Sequence, residues 1–219
     1  MLLLQPSASK RKQKVMPDNL QDHVGYTRSE WSTTPYFVSV VNFLKLKNVE
    51  TFVDVGGCTG EVSKIILENV PSIKAGIILE PIEENYNFTV ENVNDSRVKV
   101  IRKALHQTEK TISLGRLDGN VGGYSTAFDG GAQTYDCITL EELAEEMDLQ
   151  FIKIDIEGGE KNIIENSTVL KTVPYLEIEF HYELDQPGGW RPYAAVHLPD
   201  HEPLLIGQYH AFLVKKGME

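Results

Sequence analysis

At 219 residues the chain is long enough for one α/β domain with a full core and an N-terminal extension. Its formal net charge of -11 argues against broad electrostatic binding to DNA or RNA, which needs clustered Lys and Arg. Cys58 and Cys137 are the two cysteines, too few for a disulfide scaffold, and Leu2-Leu3-Leu4 is too short for a signal-peptide core or a membrane span, so the expectation is a cytoplasmic protein with no membrane span.

Residues 1–20 are polar, with Lys10, Arg11, Lys12 and Lys14 clustered, and read as a disordered basic tail. Residues 21–219 read as a single domain. Helical periodicity runs through Phe37, Val40, Val41 and Leu44 in the stretch Pro35 to Lys47. Thr51–Val55 reads as the first strand, and Glu61–Asn69 as a helix with Val62, Ile65 and Ile66 inward. Ala75–Leu79 is a second strand closed by Glu80, Pro81 begins a helix to about Val93, and Val98–Ile101 is a third strand. Residues 104–138 are glycine-rich, with short β-like pieces at Thr111–Leu114 and Tyr124–Phe128, and read as a hairpin insertion or a mobile loop. Thr139 and Glu142 have the spacing of a capping box for a helix to Met147. Phe151–Ile154 is a strand ending at Asp155, Gly159–Leu170 a helix, Tyr175–Phe180 a strand ending near His181, and Ala211–Val214 a short final strand. Alternating strands and helices imply a parallel sheet that binds ligands at the carboxyl ends of its strands. Asp54, Glu80, Asp155 and His181 each lie at such an end.

The segment from Phe52 to Gly60 passes from an apolar run through an acid into glycines and then into a helix. Glycines at Gly56, Gly57 and Gly60 do not meet the G-x-G-x-x-G frame of a dinucleotide site. Asp54, two residues ahead of Gly56, suits a ligand with an amine-bearing or cationic end, which favours S-adenosylmethionine; an ordinary βα turn explains the segment equally well. Glu80 lies about one βαβ unit beyond the turn, where an acid can accept hydrogen bonds from a ribose diol. Ala104-Leu105-His106-Gln107 follows the third strand, where an adenine edge or a plain loop fits. In Phe151 to Glu160, strand alternation carries Lys153, Asp155 and Glu157 to a rim, Gly158 and Gly159 allow a turn, and Glu160 suits the start of the next helix.

Asp54-Val55-Gly56-Gly57-x-x-Gly60, Leu79-Glu80-Pro81, Ala104-Leu105, Thr139-Leu140 and Lys153-Ile154-Asp155-Ile156-Glu157-Gly158-x-Glu160 resemble, in order, the motifs of FkbM-family methyltransferases over residues 50 to 183. The resemblance implies a Rossmann-like class I methyltransferase fold, a seven-stranded, mostly parallel sheet with helices on both faces and its last strand antiparallel. It implies S-adenosylmethionine as methyl donor, S-adenosylhomocysteine as product, and a small-molecule acceptor methylated at a hydroxyl, such as a sugar or natural product. Gly56 and Gly60 would approach the methionine part of the donor, Glu80 would bind the ribose, and Asp155 would sit beside the methyl group. The donor-contacting set is then Asp54, Gly56, Gly57, Thr59, Gly60, Glu80, Pro81, Ala104, Leu105 and Asp155. The family usually carries a helix before its final strands; here the Pro- and Gly-containing segment from Asp185 to His201 is expected to interrupt it.

A hydroxyl acceptor needs a group to remove its proton. Asp155, Glu157, Glu179 and His181 are the candidates, with Asp155, His181 and Glu157 taken as the catalytic set. Carboxylates at Asp155, Glu157 and Glu179 are compatible with a divalent cation, but their spacing is not diagnostic, so no metal ligand is assigned. Trp190 and Tyr193 suit either a lid over a sugar or packing on the sheet, and Cys58 suits small-residue packing. The alternatives are a non-catalytic binding subunit with the same fold, and an NAD-type oxidoreductase, which leaves the missing glycine frame unexplained.

Overall fold

In β1 (Thr51–Val55), Phe52, Val53 and Val55 are all buried, so the strand has no solvent face. A strand apolar on both sides belongs inside a parallel sheet covered on both sides. The computed structural model, which describes residues 34–116, 124–125, 133–181, 189–207 and 209–219, places it there. The seven-stranded sheet has the order β10 (His201–Ile206), β11 (His210–Lys215), β9 (Tyr175–Glu179), β8 (Phe151–Ile154), β1, β2 (Ala75–Leu79), β3 (Val98–Ile101). Pairings from β9 through β3 are parallel, and β11 runs antiparallel to both β9 and β10. The expected mixed sheet with an antiparallel last strand is therefore present.

Alternate residues feed two cores. On one face Phe52, Ile78, Phe151, Tyr175 and Phe212 pack with α1 (Pro35–Leu46), α2 (Glu61–Asn69) and Val93 of α3 (Glu83–Val93). On the other, Val53, Ile77, Ile152, Leu176 and Leu213 pack with α4 (Leu140–Glu146), α5 (Glu160–Asn166) and α6 (Trp190–His197). Thr139 and Glu142 form the reciprocal capping box that starts α4. Among the described residues no helix is long and apolar enough to cross a membrane.

Local chemistry accounts for the departures from expectation. α3 begins at Glu83 rather than Pro81 because the Ile82 amide donates to the Glu80 carboxylate. α5 stops at Asn166, short of Leu170, because Glu141 captures the Ser167 hydroxyl and the amides of Thr168 and Val169. α2 buries Ser63, Ile66 and Leu67, leaving Val62 and Ile65 only partly covered. Within the described part of the segment expected to interrupt a helix before the last strands, Trp190–His197 is a helix, which corrects that expectation there; residues 185–188 lie outside the described residues. Pro192 is tolerated there because it lies in the first turn, where a backbone N–H has no intrahelical partner. Trp190 stacks on Phe180 at 5.1 Å and is core, which settles it as packing rather than a lid. β10 was hidden from the sequence reading by Pro203, which a strand accepts at a sheet edge. Residues 104–138 contribute a second sheet, β4 (Ala104–Leu105), β7 (Gln133–Ile138), β5 (Thr111–Arg116), β6 (Tyr124–Ser125), in which β5 and β7 form an antiparallel pair. The basic segment at residues 1–20 lies outside the described residues.

Phe212 is fully buried against Phe43, Phe151 and Tyr175, with ring centroids 5.2, 6.3 and 6.5 Å away. Phe212→Ala is expected to cost about 3–5 kcal/mol, through lost transfer energy and a cavity. The measurement is the urea midpoint, which should fall at unchanged m.

Candidate active site

The turn after β1 is tight because another backbone fills the space a side chain would need. Gly56 has φ +80, and a Cβ there would lie 1.9 Å from the Asp155 carbonyl oxygen. Gly57 is equally confined, with Ile78 Cγ2 2.2 Å from its Cβ position. The Gly56 and Gly57 amides both donate to Leu79 O at 3.0 Å, which ties the turn to the end of β2. Glu80, the next residue, is buried and accepts from the Cys58 amide at 2.8 Å and the Ile82 amide at 2.9 Å. Burial pushes its carboxyl up to about 7, against the lowering effect of those two bonds. From α3, the Thr89 hydroxyl donates to Cys58 O and the Asn92 amide to Thr59 O. Burial, with the nearby Glu80 charge, pushes the Cys58 thiol up to about 12, so it stays protonated and packs.

A row of charges crosses the sheet beside this turn. Asp54, Lys153 and Glu177 are register neighbours on β1, β8 and β9, and all three are buried. Lys153 Nζ lies 3.4 Å from Asp54 Oδ1 and 3.2 Å from Asp155 Oδ2, while Asp54 Oδ2 accepts from the Ser63 hydroxyl at 2.7 Å. Burial works against the Lys153 charge, but Asp155, Asp54 and Glu177 overrule it and raise its pKa. Burial likewise opposes ionisation of Asp155, yet the Lys153 charge and a hydrogen bond from Glu179 hold that carboxyl below its ordinary range. Burial and the Asp155 charge push Glu179 up to about 7.

Past Asp155 the chain turns sharply, with φ +52 at Glu157 and +108 at Gly158. Glu160 Oε1 accepts from the amides of Ile156 and Gly158 and lies 2.9 Å from His181 Nδ1. His181 Nε2 faces Glu157 at 3.3 Å and Glu179 at 3.7 Å. Burial disfavours the imidazolium, but the hydrogen bond and charge of Glu160, then Glu179 and Glu157, push His181 up to about 9. Asp155, Glu157 and His181 offer ligand atoms within 4.8 Å of one another. At neutral pH the imidazolium of His181 is itself the positive charge among those carboxylates.

One cavity of about 390 Å³ joins the glycine turn to this acid-rich rim. Gly56, Gly57, Thr59, Glu80, Pro81, Ala104, Leu105, Asp155 and Glu157, all singled out from sequence, line it. Asp54, Gly60 and His181 are not among its lining residues: Asp54 faces Lys153, Gly60 caps α2 with φ +75, and His181 is held among its acids. The second sheet contributes Ile112, Leu114 and Tyr124 to the wall. Lys153 and His210 also line it, although the sequence motifs do not mark either as a site residue. His210 was missed because β11 is antiparallel, so the strand's first residue, not its last, reaches the carboxyl rim.

The methyltransferase FkbM domain model matches residues 48–206. The chain belongs to the FkbM methyltransferase family. Solved structures agree in fold. The methyltransferase FkbM of Methylobacillus flagellatus KT matches with a TM-score of 0.51 and 20% identity, over 77% of this chain and 44% of that one. A Staphylococcus aureus protein designated a caffeoyl-CoA O-methyltransferase matches with a TM-score of 0.51 and 12% identity, over 81% of each chain. At these identities the likeness is one of fold, and this chain spans less than half of the Methylobacillus protein. No curated protein matches. The match is to the family's methyltransferase domain rather than to a dinucleotide-binding one. The cavity fits a nucleoside-bearing donor: its volume lies in the small-molecule range, its floor at Gly56 has no room for a side chain, and a buried acid stands at the end of β2.

In the folded protein Glu80 and Glu179 keep their protons to about pH 7 rather than 4.5, and His181 to about 9 rather than 6.5. A raised folded pKa contributes stability that is complete below the unfolded value and lost as pH rises through the folded one. The ligand-free protein is therefore expected to lose stability between pH 4.5 and 9. In urea midpoints measured across that range, Glu80→Gln and Glu179→Gln should reduce the slope below about 7, and His181→Gln the slope from 6.5 to 9.

Proposed function

We propose that this chain transfers the methyl group of S-adenosylmethionine to a hydroxyl of a small molecule, with a sugar or a natural product as the acceptor class. The observation that carries the reading is the continuity of one cavity from the glycine turn to the Asp155 carboxylate. Bound S-adenosylmethionine supplies an electrophilic methyl and a neutral thioether leaving group, so the chain's work is alignment and proton removal. Gly56, Gly57 and Thr59 form the seat for the methionine part, with Asp54 and Gly60 supporting it from behind the wall. Glu80 and Pro81 take the ribose, and Ala104 and Leu105 flank the adenine.

At the acceptor end, Asp155 accepts a hydrogen bond from the hydroxyl beside the methyl group. Lys153 supports this role by keeping the carboxylate ionised. Glu157 adds a second acceptor on the same rim. His181, protonated at neutral pH, holds Glu157, Glu160 and Glu179 in place rather than taking a proton. Carboxylates on the rim and a net charge of -11 disfavour a polyphosphate acceptor, which supports the exclusion of nucleic acid.

Calorimetric titration with S-adenosylmethionine and S-adenosylhomocysteine is expected to show binding that Glu80→Ala weakens at least about tenfold, the cost of a lost charge-assisted hydrogen bond. In a screen of hydroxylated sugars and natural products, Asp155→Asn should abolish turnover while still binding the donor. Donor binding with no methyl transfer to any acceptor would favour the non-catalytic subunit; wild-type turnover in Asp155→Asn would overturn the role given to that residue.

A further inference from the structure

Carboxylates outnumber cations at the rim of the cavity. Asp155, Glu157 and Glu179 line it, Glu160 holds His181, and Asp54 and Glu177 flank Lys153. Against them stand Lys153, His181 and His210. The ring of His181 is oriented by an acid that is itself fixed. Glu160 is buried, its Oε1 accepts from the amides of Ile156 and Gly158, and the same oxygen lies 2.9 Å from His181 Nδ1. An acceptor fixed in this way takes the Nδ1 proton and leaves Nε2 to the ligand side, which is how metal-bound histidines are oriented from behind. Nε2 faces Glu157 Oε2 at 3.3 Å and Glu179 Oε1 at 3.7 Å. Two ligand atoms each about 2.1 Å from an ion, at right angles, are roughly 3 Å apart. The Nε2 to Glu157 spacing is close to that of two neighbours on one ion. Asp155 completes a set of three whose ligand atoms lie within 4.8 Å of one another. One imidazole with carboxylates and no thiolate suits a first-row divalent ion such as Mn²⁺.

We propose that Asp155, Glu157 and His181 bind one divalent metal ion, and that the ion's remaining positions hold oxygens of the acceptor. The site is read from its own geometry; the acceptor's part in it rests on the reading of the chain as a hydroxyl methyltransferase. Two of the three ligands, Asp155 and Glu157, line the cavity, so the open positions of the ion lie on the side from which the acceptor comes. A hydroxyl next to the methylated one fits such a position, which narrows the acceptor class to diols such as the vicinal pair of a sugar. A carboxylate has about four lone-pair sites. Asp155 therefore meets Lys153 and the ion and still accepts from the methylated hydroxyl. In the metal-free protein a proton on Nε2 faces Glu157; the ion takes its place and that proton passes to solvent. Glu160 is a positioning residue, because it touches the ring and not the ion.

The test uses Mn²⁺ alone, added to the full chain after chelation and followed by EPR. Binding should remove the free-ion signal up to one ion per chain, and pulsed EPR should show coupling to an imidazole nitrogen. A free-ion signal that stays, or bound Mn²⁺ without nitrogen coupling, overturns the proposal on the wild-type chain, whether or not any variant folds. His181→Gln should abolish the coupling, and both it and Glu157→Gln should weaken Mn²⁺ binding at least about tenfold. Glu160→Gln should weaken it about tenfold with the nitrogen coupling retained, a combination that a merely structural role would not produce. Unchanged Mn²⁺ affinity in His181→Gln overturns the site. On a vicinal diol acceptor, chelation should raise KM about tenfold and Mn²⁺ should restore it; a KM that chelation does not move overturns the ion's part in holding the acceptor. Calorimetry with S-adenosylhomocysteine on the same samples separates the two readings. Donor binding without Mn²⁺ binding overturns the metal site alone. Mn²⁺ binding without donor binding overturns the methyl-transfer reading, and the acceptor's place on the ion with it.

Discussion

One buried ammonium ties the sheet to the site. Lys153 sits in register between Asp54 on one neighbouring strand and Glu177 on the other, and reaches forward to Asp155 at the rim. Taking such charges out of water costs several kcal/mol per ion, and their attraction offsets this only when the geometry is held. The geometry is held by the apolar positions on either side, Phe52, Phe151 and Tyr175 on the same face and Val53, Ile152 and Leu176 on the other. A slip of one residue would turn the charges toward the wrong core and the aromatic rings with them. Strand register and the ionisation of Asp155 are thus two aspects of the same arrangement.

Most of the sheet was legible because its central strands are short apolar runs bounded by turn residues, and six of the seven were recognised. The missed one, β10, carries Pro203 and exposed Leu204 and Ile206, a pattern that makes sense only at an edge. α6 was missed for a related reason: proline reads as a breaker in sequence, yet in a first turn it costs the helix no hydrogen bond. Neither the edge position nor the helix start can be seen until the neighbours are in place.

The site divides in the same way. Gly56, Glu80 and Asp155 fall in three short contiguous motifs, so they could be singled out from sequence as cavity residues. The acid-rich rim of the cavity is built across β8, β9 and β11, from residues separated by dozens of positions. Asp54 shows the limit of a motif: it precedes the glycines as a ligand-facing acid would, but its carboxylate points to Lys153 and Ser63. His181 was singled out for standing at a strand end, while three carboxylates make it a cation at neutral pH.

The edge of the large sheet bears on how the chain behaves at high concentration. An outer strand offers a row of backbone donors and acceptors on which a second chain can template. In β10, Pro203 removes one donor from that row and the pairing register with β11 shifts between Pro203 and Leu205. A foreign strand laid alongside would meet a gap in the ladder and a local twist, even though Leu204 and Ile206 offer it apolar side chains. The proline that obscured this strand in the sequence thus guards the fold against growing outward by one strand at a time.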